Sequence, residues 1–181
     1  PNDVLAGVEE ITVAFDVWID PTLTPNYFFF NFGNAASGQC NGCLFVSDGA
    51  GSSNFRGAIT PDNWQGERGP TRSGPLPRAT WTHVAFTISG SEGRLYADGE
   101  EVAAANDITL KPSEIGGGQT SANYIGRSPY SADKLFVGRI KDFRVYDRAL
   151  SEAEIAALAA PEELSEKEKA EAAAERLVVH D

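Results

Sequence analysis

Near the N-terminus, residues 11–20, ITVAFDVWID, carry a large apolar residue at every second position. A period of two is that of a β-strand with one buried face. One face carries Ile11, Val13, Phe15, Val17 and Ile19, and the other carries Thr12, Ala14, Asp16, Trp18 and Asp20. The alternation therefore predicts a half-buried strand, on which Trp18 belongs either to the core or to the exposed face.

Further strand patterns follow, separated by Gly, Pro, Ser and Asn clusters of the kind that form turns. The run 26–32, NYFFFNF, is nearly continuous in apolar residues, which predicts a strand that is covered on both faces. The dipeptide Asp98-Gly99 suits the type I′ turn of a tight hairpin. The other predicted strands are 42–47, 54–60, 81–88, 94–102, 123–128 and 135–146, with Trp81 assigned to the core.

Helical patterns appear only near the C-terminus. Ser151 and Glu154 have the spacing of a capping box, so a short helix is predicted to begin there. Residues 164–177 are rich in Glu, Lys and Ala, which favours a second helix. Many short strands followed by little helix indicate an all-β fold, an antiparallel two-sheet sandwich with a short C-terminal helix and a helical tail.

Net charge and hydropathy limit the kinds of partner that this chain can bind. The chain of 181 residues has a formal net charge of −11, which argues against nucleic acid and against anionic membrane surfaces. The sequence has no apolar run long enough to span a bilayer. It also contains no Met, so we expect the chain to be a piece of a longer or processed polypeptide.

Three segments taken together resemble laminin-G-like, concanavalin A-like domains. Residues 81–87 and 94–102, WTHVAFT and RLYADGEEV, resemble the W-x-H-V-A-x-T and L-Y-x-D-G-x-x-V hairpin of that family. Residues 123–128, NYIGRS, match its N-Y-I-G-R-S strand. Residues 136–151, FVGRIKDFRVYDRALS, are similar to its closing strand F-x-G-x-I-D-D-x-R-I-Y-x-R-A-L-S. The resemblance covers about residues 4–158.

The resemblance implies a jelly roll over residues 1–160 and a helical linker over 161–181 that leads to a following domain. It also implies that one or two opening strands of the family are missing or come from another segment. Asp16 departs from the family, because many relatives carry Trp there. Bacterial modules of this kind are attached to secreted glycoside hydrolases of the arabinofuranosidase or xylosidase type, where they act as carbohydrate-binding-like accessory modules.

Carbohydrate recognition needs aromatic side chains that stack on sugar rings and polar groups that bind hydroxyls. The polar loop 61–78, PDNWQGERGPTRSGPLPR, is long enough to be functional. It offers Trp64 as a stacking platform, with Asn63, Asp62 and Arg68 beside it. Tyr130, and then the pair Tyr124 and Arg127, are the next candidates. The alternative is that Trp64 anchors its own loop in the core and Tyr130 closes a turn.

The resemblance also marks Asp142 as a ligand of a structural calcium ion. Calcium takes six to eight oxygen ligands, so the alternative is a surface carboxylate paired with Lys141 or Arg144. Cys40 and Cys43 are the only cysteines. A zinc site would need two more ligands at matched spacing. In a secreted protein we expect a local disulfide that tightens a hairpin, with free thiols as the alternative.

Catalysis by this segment alone is not expected. Glycoside hydrolysis uses two carboxylates that face each other across a groove, and no strand here carries such a pattern. His83 lies in a strand where it is expected to be buried or paired. The sequence therefore favours a non-catalytic carbohydrate-binding-like module of a secreted bacterial multidomain glycoside hydrolase. A structural spacer that buttresses the catalytic domain, or an extracellular protein-interaction module, are the alternatives.

Overall fold

The computed structural model describes residues 1–49 and 54–160 and consists of two antiparallel five-stranded sheets. Sheet A has the strand order β10-β1-β6-β7-β8 and sheet B the order β5-β4-β3-β2-β9. The strands are β1 Ile11–Ile19, β2 Tyr27–Ala36, β3 Gln39–Asp48, β4 Phe55–Thr60, β5 Thr71–Arg72, β6 Trp81–Ser89, β7 Glu92–Ala97, β8 Glu100–Ala105, β9 Tyr124–Ile125 and β10 Gly138–Tyr146. This arrangement confirms the predicted all-β sandwich. The predicted helix 164–177 and linker 161–181 lie outside the described residues.

The alternate apolar residues of β1 form part of the buried face of sheet A. All five apolar residues predicted to face inward are buried, and β1 is held between β6 and β10. Phe15 reaches across to sheet B, with its ring centroid 5.7 Å from that of Phe29 and 6.1 Å from that of Phe30. Its ring also stacks on Phe143 of β10 at 5.5 Å. These aromatic contacts lie in the core between the two sheets.

The continuous apolar run in β2 is buried on both faces, as predicted. A register shift between Phe28 and Phe30 lets Phe29 and Phe30 both enter the core between the sheets. Phe28 points to the opposite face, where its ring stacks on Phe45 of β3 at 4.3 Å. The side of sheet B turned away from sheet A, here called the outer face of sheet B, therefore has a small apolar cluster of its own.

Two predictions from short sequence motifs, a turn and a helix cap, are also confirmed. Asp98 and Gly99 have φ angles of +51° and +84°, the left-handed geometry of a type I′ turn. Ser151 and Glu154 form the predicted capping box at the start of helix α1, Glu152–Ala159. Ile155 of α1 packs with Ala14 and Ala85 on the side of sheet A turned away from sheet B, here called the outer face of sheet A. Helix α1 thus covers part of that face.

Strand β10 contains a bulge. Asp16 and Ala14 of β1 are paired with Lys141 and Arg144, so β10 has one residue more than β1 over this interval. Asp142 lies in the bulge with a φ angle of +52°. Bulges re-aim side chains at sheet edges, and this one keeps both Lys141 and Arg144 in line with the outward positions of β1.

Candidate functional site

Trp64 is exposed, with 62% of its surface accessible. It lies on a single 3-10 turn, Trp64–Gly66, which Asn63 caps by accepting a hydrogen bond from the Gln65 N–H at 3.0 Å. This hydrogen bond uses the Asn63 Oδ1 to hold the turn that carries Trp64. The alternative that Trp64 anchors its loop in the core is contradicted by its exposure. Arg68 is half exposed, and its Nε lies 3.6 Å from Asp107 Oδ2.

The loop that carries Trp64 folds over the outer face of sheet B. Glu67 of this loop pairs with Arg56 of β4 at 2.5 Å, and only 9% of the Glu67 side chain is exposed. Burial raises the pKa of the Glu67 carboxyl, while the charge of Arg56 opposes that rise. The Arg56 guanidinium also lies 5.2 Å from the centroid of the Phe45 ring. The ion pair therefore covers the apolar cluster of this face.

Tyr130 packs against the same cluster, with its ring centroid 6.2 Å from that of Phe28. Burial raises the pKa of Tyr130 to about 12, and the negative charge of Glu67 is the next cause. The phenol therefore stays protonated at neutral pH and can both donate and accept a hydrogen bond. Its hydroxyl lies close to the backbone of Trp64, so the loop that holds the exposed indole and the Tyr130 ring are neighbours.

The predicted residues Tyr124, Arg127 and Tyr130 come together in one cleft of about 460 Å³. The Arg127 guanidinium lies over the Tyr124 ring at 4.6 Å from its centroid. Ser128 Oγ accepts a hydrogen bond from the Tyr130 backbone N–H at 3.0 Å and donates one to Asp133 at 2.6 Å. The cleft therefore combines two aromatic rings with charged and hydroxyl groups, the combination that a sugar site requires.

Buried polar atoms are concentrated on this face. Within residues 1–49 and 54–160, seven buried side-chain polar atoms have no hydrogen-bond partner in the protein. Such groups are normally satisfied by water or by a ligand. Five of the seven belong to the outer face of sheet B or to the segments that cover it: Asn31 Oδ1, Ser47 Oγ, Arg56 Nε, Glu67 Oε1 and the Tyr130 hydroxyl.

Two tryptophans lie on the other side of the molecule. Trp18 and Trp81 are cross-strand partners on the outer face of sheet A, and Trp81 is 42% exposed. The assignment of Trp81 to the core is therefore wrong. In β6 the core residues are Val84, Phe86 and Ile88, so the period of two already places Trp81 on the opposite face. That alternation is the signal that would have identified it.

Asp142 is half exposed and lies 4.0 Å from both Lys141 Nζ and Arg144 Nη2. Among the described residues no group of three His, Cys, Asp or Glu side chains is placed to hold a metal ion. The calcium prediction at Asp142 therefore stays a prediction.

Cys40 and Cys43 are joined by a disulfide at the start of β3. The bond lies within one strand, where β2 and β3 change register between Gly33 and Ala35. It therefore spans an irregularity of the β2–β3 hairpin.

In the described part of the chain, no helix has the length and apolar character needed to cross a bilayer.

Comparisons with known proteins agree with the fold. A search of solved structures finds domain 4 of an extracellular GH43 arabinanase of Geobacillus stearothermophilus in complex with arabinotriose, at TM-score 0.70 and 19% identity, covering 87% of this chain and 69% of that chain. It also finds the CBM40 of the Ruminococcus gnavus IT-sialidase bound to α2,3-sialyllactose, at TM-score 0.71 and 17% identity, covering 87% and 85%. No protein with a curated function matches the sequence.

A third similar structure is the leech intramolecular trans-sialidase, at TM-score 0.69 and 21% identity, where the match covers 90% of this chain and 25% of that one. At these identities the three likenesses show a common fold. The sequence model of the laminin-G-type family within the concanavalin A-like lectin/glucanases superfamily matches residues 1–156. With that match and the two-sheet jelly roll together, this chain belongs to the concanavalin A-like lectin/glucanases superfamily.

Proposed function

We propose that this chain is a non-catalytic carbohydrate-binding module, and that it binds its glycan on the outer face of sheet B. The observation that carries the proposal is the exposed Trp64 indole, which lies near a cleft that the rings of Tyr124 and Tyr130 line. An exposed indole offers a flat apolar surface to the C–H face of a sugar ring. Tyr130, Arg127 and Asp133 line the cleft, where Arg127 and Asp133 offer hydrogen bonds to the hydroxyl groups of a sugar and the Tyr130 ring offers an apolar surface.

The comparisons support the class of ligand. Two proteins of the same fold are described as complexes with oligosaccharides, one with arabinotriose and one with sialyllactose. Both belong to enzymes that act on glycans, which supports a multidomain glycoside hydrolase as the parent polypeptide. The disulfide between Cys40 and Cys43 supports a secreted or cell-surface location, because such bonds persist in oxidising compartments. Bacterial origin and a structural calcium ion at Asp142 remain part of the proposal.

The test is a glycan-array screen of the chain, with and without a chelator, followed by calorimetric titration of the best oligosaccharide. Truncation of an aromatic residue at the centre of a site costs about 2 kcal/mol, which is about thirtyfold in Kd. We expect Trp64→Ala to cause a loss of this size and Arg127→Met a smaller one. Val145→Ala is the control and should retain the Kd, because Val145 is exposed and does not line this cleft. A folded chain that binds no glycan would refute the proposal.

A second candidate function is a structural one, contact with an adjoining domain of the same polypeptide. It is favoured by three exposed apolar residues, Ile125, Leu135 and Val137, which are 56%, 64% and 51% accessible. They are neighbours, because the Phe136 N–H donates to the Gly126 carbonyl at 2.9 Å. If this surface is buried by another domain, Val137→Glu will lower the melting temperature of the longer polypeptide and leave that of this chain unchanged.

A further inference from the structure

The outer face of sheet A is built in rows across β6, β1 and β10. One row is Trp81, Trp18 and Arg139, and the next is His83, Asp16 and Lys141. The following rows, which contain Ala85 and Ala14, lie under helix α1. The helix therefore leaves the row of Trp81 open, and its last residues border the row of His83. These two rows carry aromatic and charged side chains.

His83 is the buried polar residue of these rows, with 8% of its surface accessible. Its Nδ1 lies 2.7 Å from Asp16 Oδ1. Because an ionised carboxylate only accepts hydrogen bonds, Nδ1 carries the proton. Nε2 is then the free nitrogen of the ring, and it is buried without a hydrogen-bond partner in the described part of the chain. Leaving such a group unsatisfied is costly, so the described residues alone do not complete the hydrogen bonding at this point of the face.

Nε2 belongs to a residue that lines a cleft of about 310 Å³. The walls are His83 and Asp16, the bulge of β10 and the last residues of α1, 157–160. Helix α1 and the bulge thus turn an otherwise flat sheet face into a concave site. The cleft is separate from the one lined by Tyr130, because the two have no lining residue in common.

The charges in this cleft are mixed and loosely paired. Lys141 Nζ lies 3.6 Å from Asp16 Oδ2 and 4.0 Å from Asp142. Arg144 also lies 4.0 Å from Asp142. These separations are longer than good hydrogen bonds. The two basic groups can therefore still donate to a ligand, and the two carboxylates can still accept from one. Two acidic and two basic side chains cancel in formal charge, which disfavours a ligand with a net charge of either sign.

We propose that this cleft is a second saccharide site, which takes an uncharged sugar unit. Hydroxyl groups match its lining because each can donate and accept. The hydroxyls of the sugar accept from Lys141 and Arg144. They donate to Asp142 and Asp16, the partly exposed carboxylates of the cleft. The exposed Trp81 indole, whose ring centroid is 5.1 Å from Lys141 Nζ, provides an apolar flank for the next unit. The class of ligand, a sugar, rests on the function proposed above. The residues that form the cleft are identified from the structure without that proposal.

The experiment uses the indole N–H signals of the three tryptophans in a ¹H–¹⁵N NMR spectrum. Trp64 reports on the outer face of sheet B, and Trp18 and Trp81 report on that of sheet A. The signals are assigned with single Trp→Phe variants. The chain is titrated with arabinotriose, xylotriose and lactose, and with α2,3-sialyllactose as the carboxylated counterpart of lactose.

We expect at least one neutral sugar to shift the Trp18 and Trp81 signals saturably. These shifts should persist in Trp64→Ala. Lys141→Met should weaken the binding about tenfold, the loss of one charged hydrogen bond. Lys111→Met is the control, because Lys111 lines neither cleft.

Three outcomes would overturn the second site. Trp18 and Trp81 signals that move with none of the probes would show that no sugar binds there. Signals that move only together with Trp64, and not in Trp64→Ala, would show a single site. A stronger response to sialyllactose than to lactose would contradict the uncharged ligand. If the Trp64 signal does not shift while those of Trp18 and Trp81 do, the function proposed for sheet B is refuted and the site on sheet A is supported.

Discussion

The two outer faces of this sandwich are covered in different ways. On sheet B a loop and an ion pair cover an apolar cluster of Phe28 and Phe45, and the exposed indole of Trp64 lies on the covering loop. On sheet A a helix covers part of the face, and Trp81 projects directly from a strand. The difference shows that in this fold the sheet is a scaffold in both cases, and that the covering segments decide where a ligand can bind.

The largest expected effect concerns stability. Phe45 is fully buried on the outer face of sheet B, so Phe45→Ala should lower the free energy of unfolding by about 3–5 kcal/mol. Trp81→Ala on the outer face of sheet A removes a half-exposed ring and its contact with Lys141, and should cost about 1 kcal/mol or less. Urea unfolding of both variants measures the contrast. Equal losses would show that the two faces are packed alike.

The next effect concerns pH. Because burial raises the pKa of Glu67, the folded chain holds this proton more tightly than the unfolded chain. Stability from this group is therefore highest below its ordinary pKa of about 4.5 and is lost as pH rises through the higher folded value. Glu67→Gln should flatten the fall of melting temperature with pH above 4.5, and Glu100→Gln, an exposed control, should not. An unchanged slope in Glu67→Gln would show that the carboxyl is not desolvated.

The smallest effect belongs to the helix that covers sheet A. The hydrogen bond from Arg148, and next that from the Ser151 backbone, lower the pKa of Glu154 to about 2. The stability it contributes is present above pH 4.5 and is lost as pH falls from there towards 2. Glu154→Gln should lower the melting temperature slightly at pH 7, and the difference should shrink as pH falls to 2. A difference as large at pH 2 as at pH 7 would contradict this origin.

The sequence predicts the fold well because the fold depends on local patterns. The alternation in β1, the Asp98-Gly99 turn and the Ser151 capping box all act within a few residues, and each is confirmed. Wherever one face of a strand must be buried, the period of two is unambiguous. The same rule applied to β6 predicts an outward Trp81, so the wrong assignment came from the residue type and not from the pattern.

The candidate sites depend on contacts between distant segments. The pairing of Glu67 with Arg56 and the approach of Tyr130 to Phe28 join a loop to a sheet face, and no local pattern encodes them. The bulge at Asp142 shifts by one residue which side chains of β10 face outward. A single inserted residue of this kind is not visible in the alternation, so the cleft beside His83 could not be predicted.

A crystal structure of the chain with the oligosaccharide that the array selects would test the site on sheet B most directly. We expect a sugar ring stacked on Trp64, with the sugar hydroxyls bound in the cleft that Tyr130, Arg127 and Asp133 line. An oligosaccharide bound away from the outer face of sheet B, with Trp64 still exposed to solvent, would contradict it.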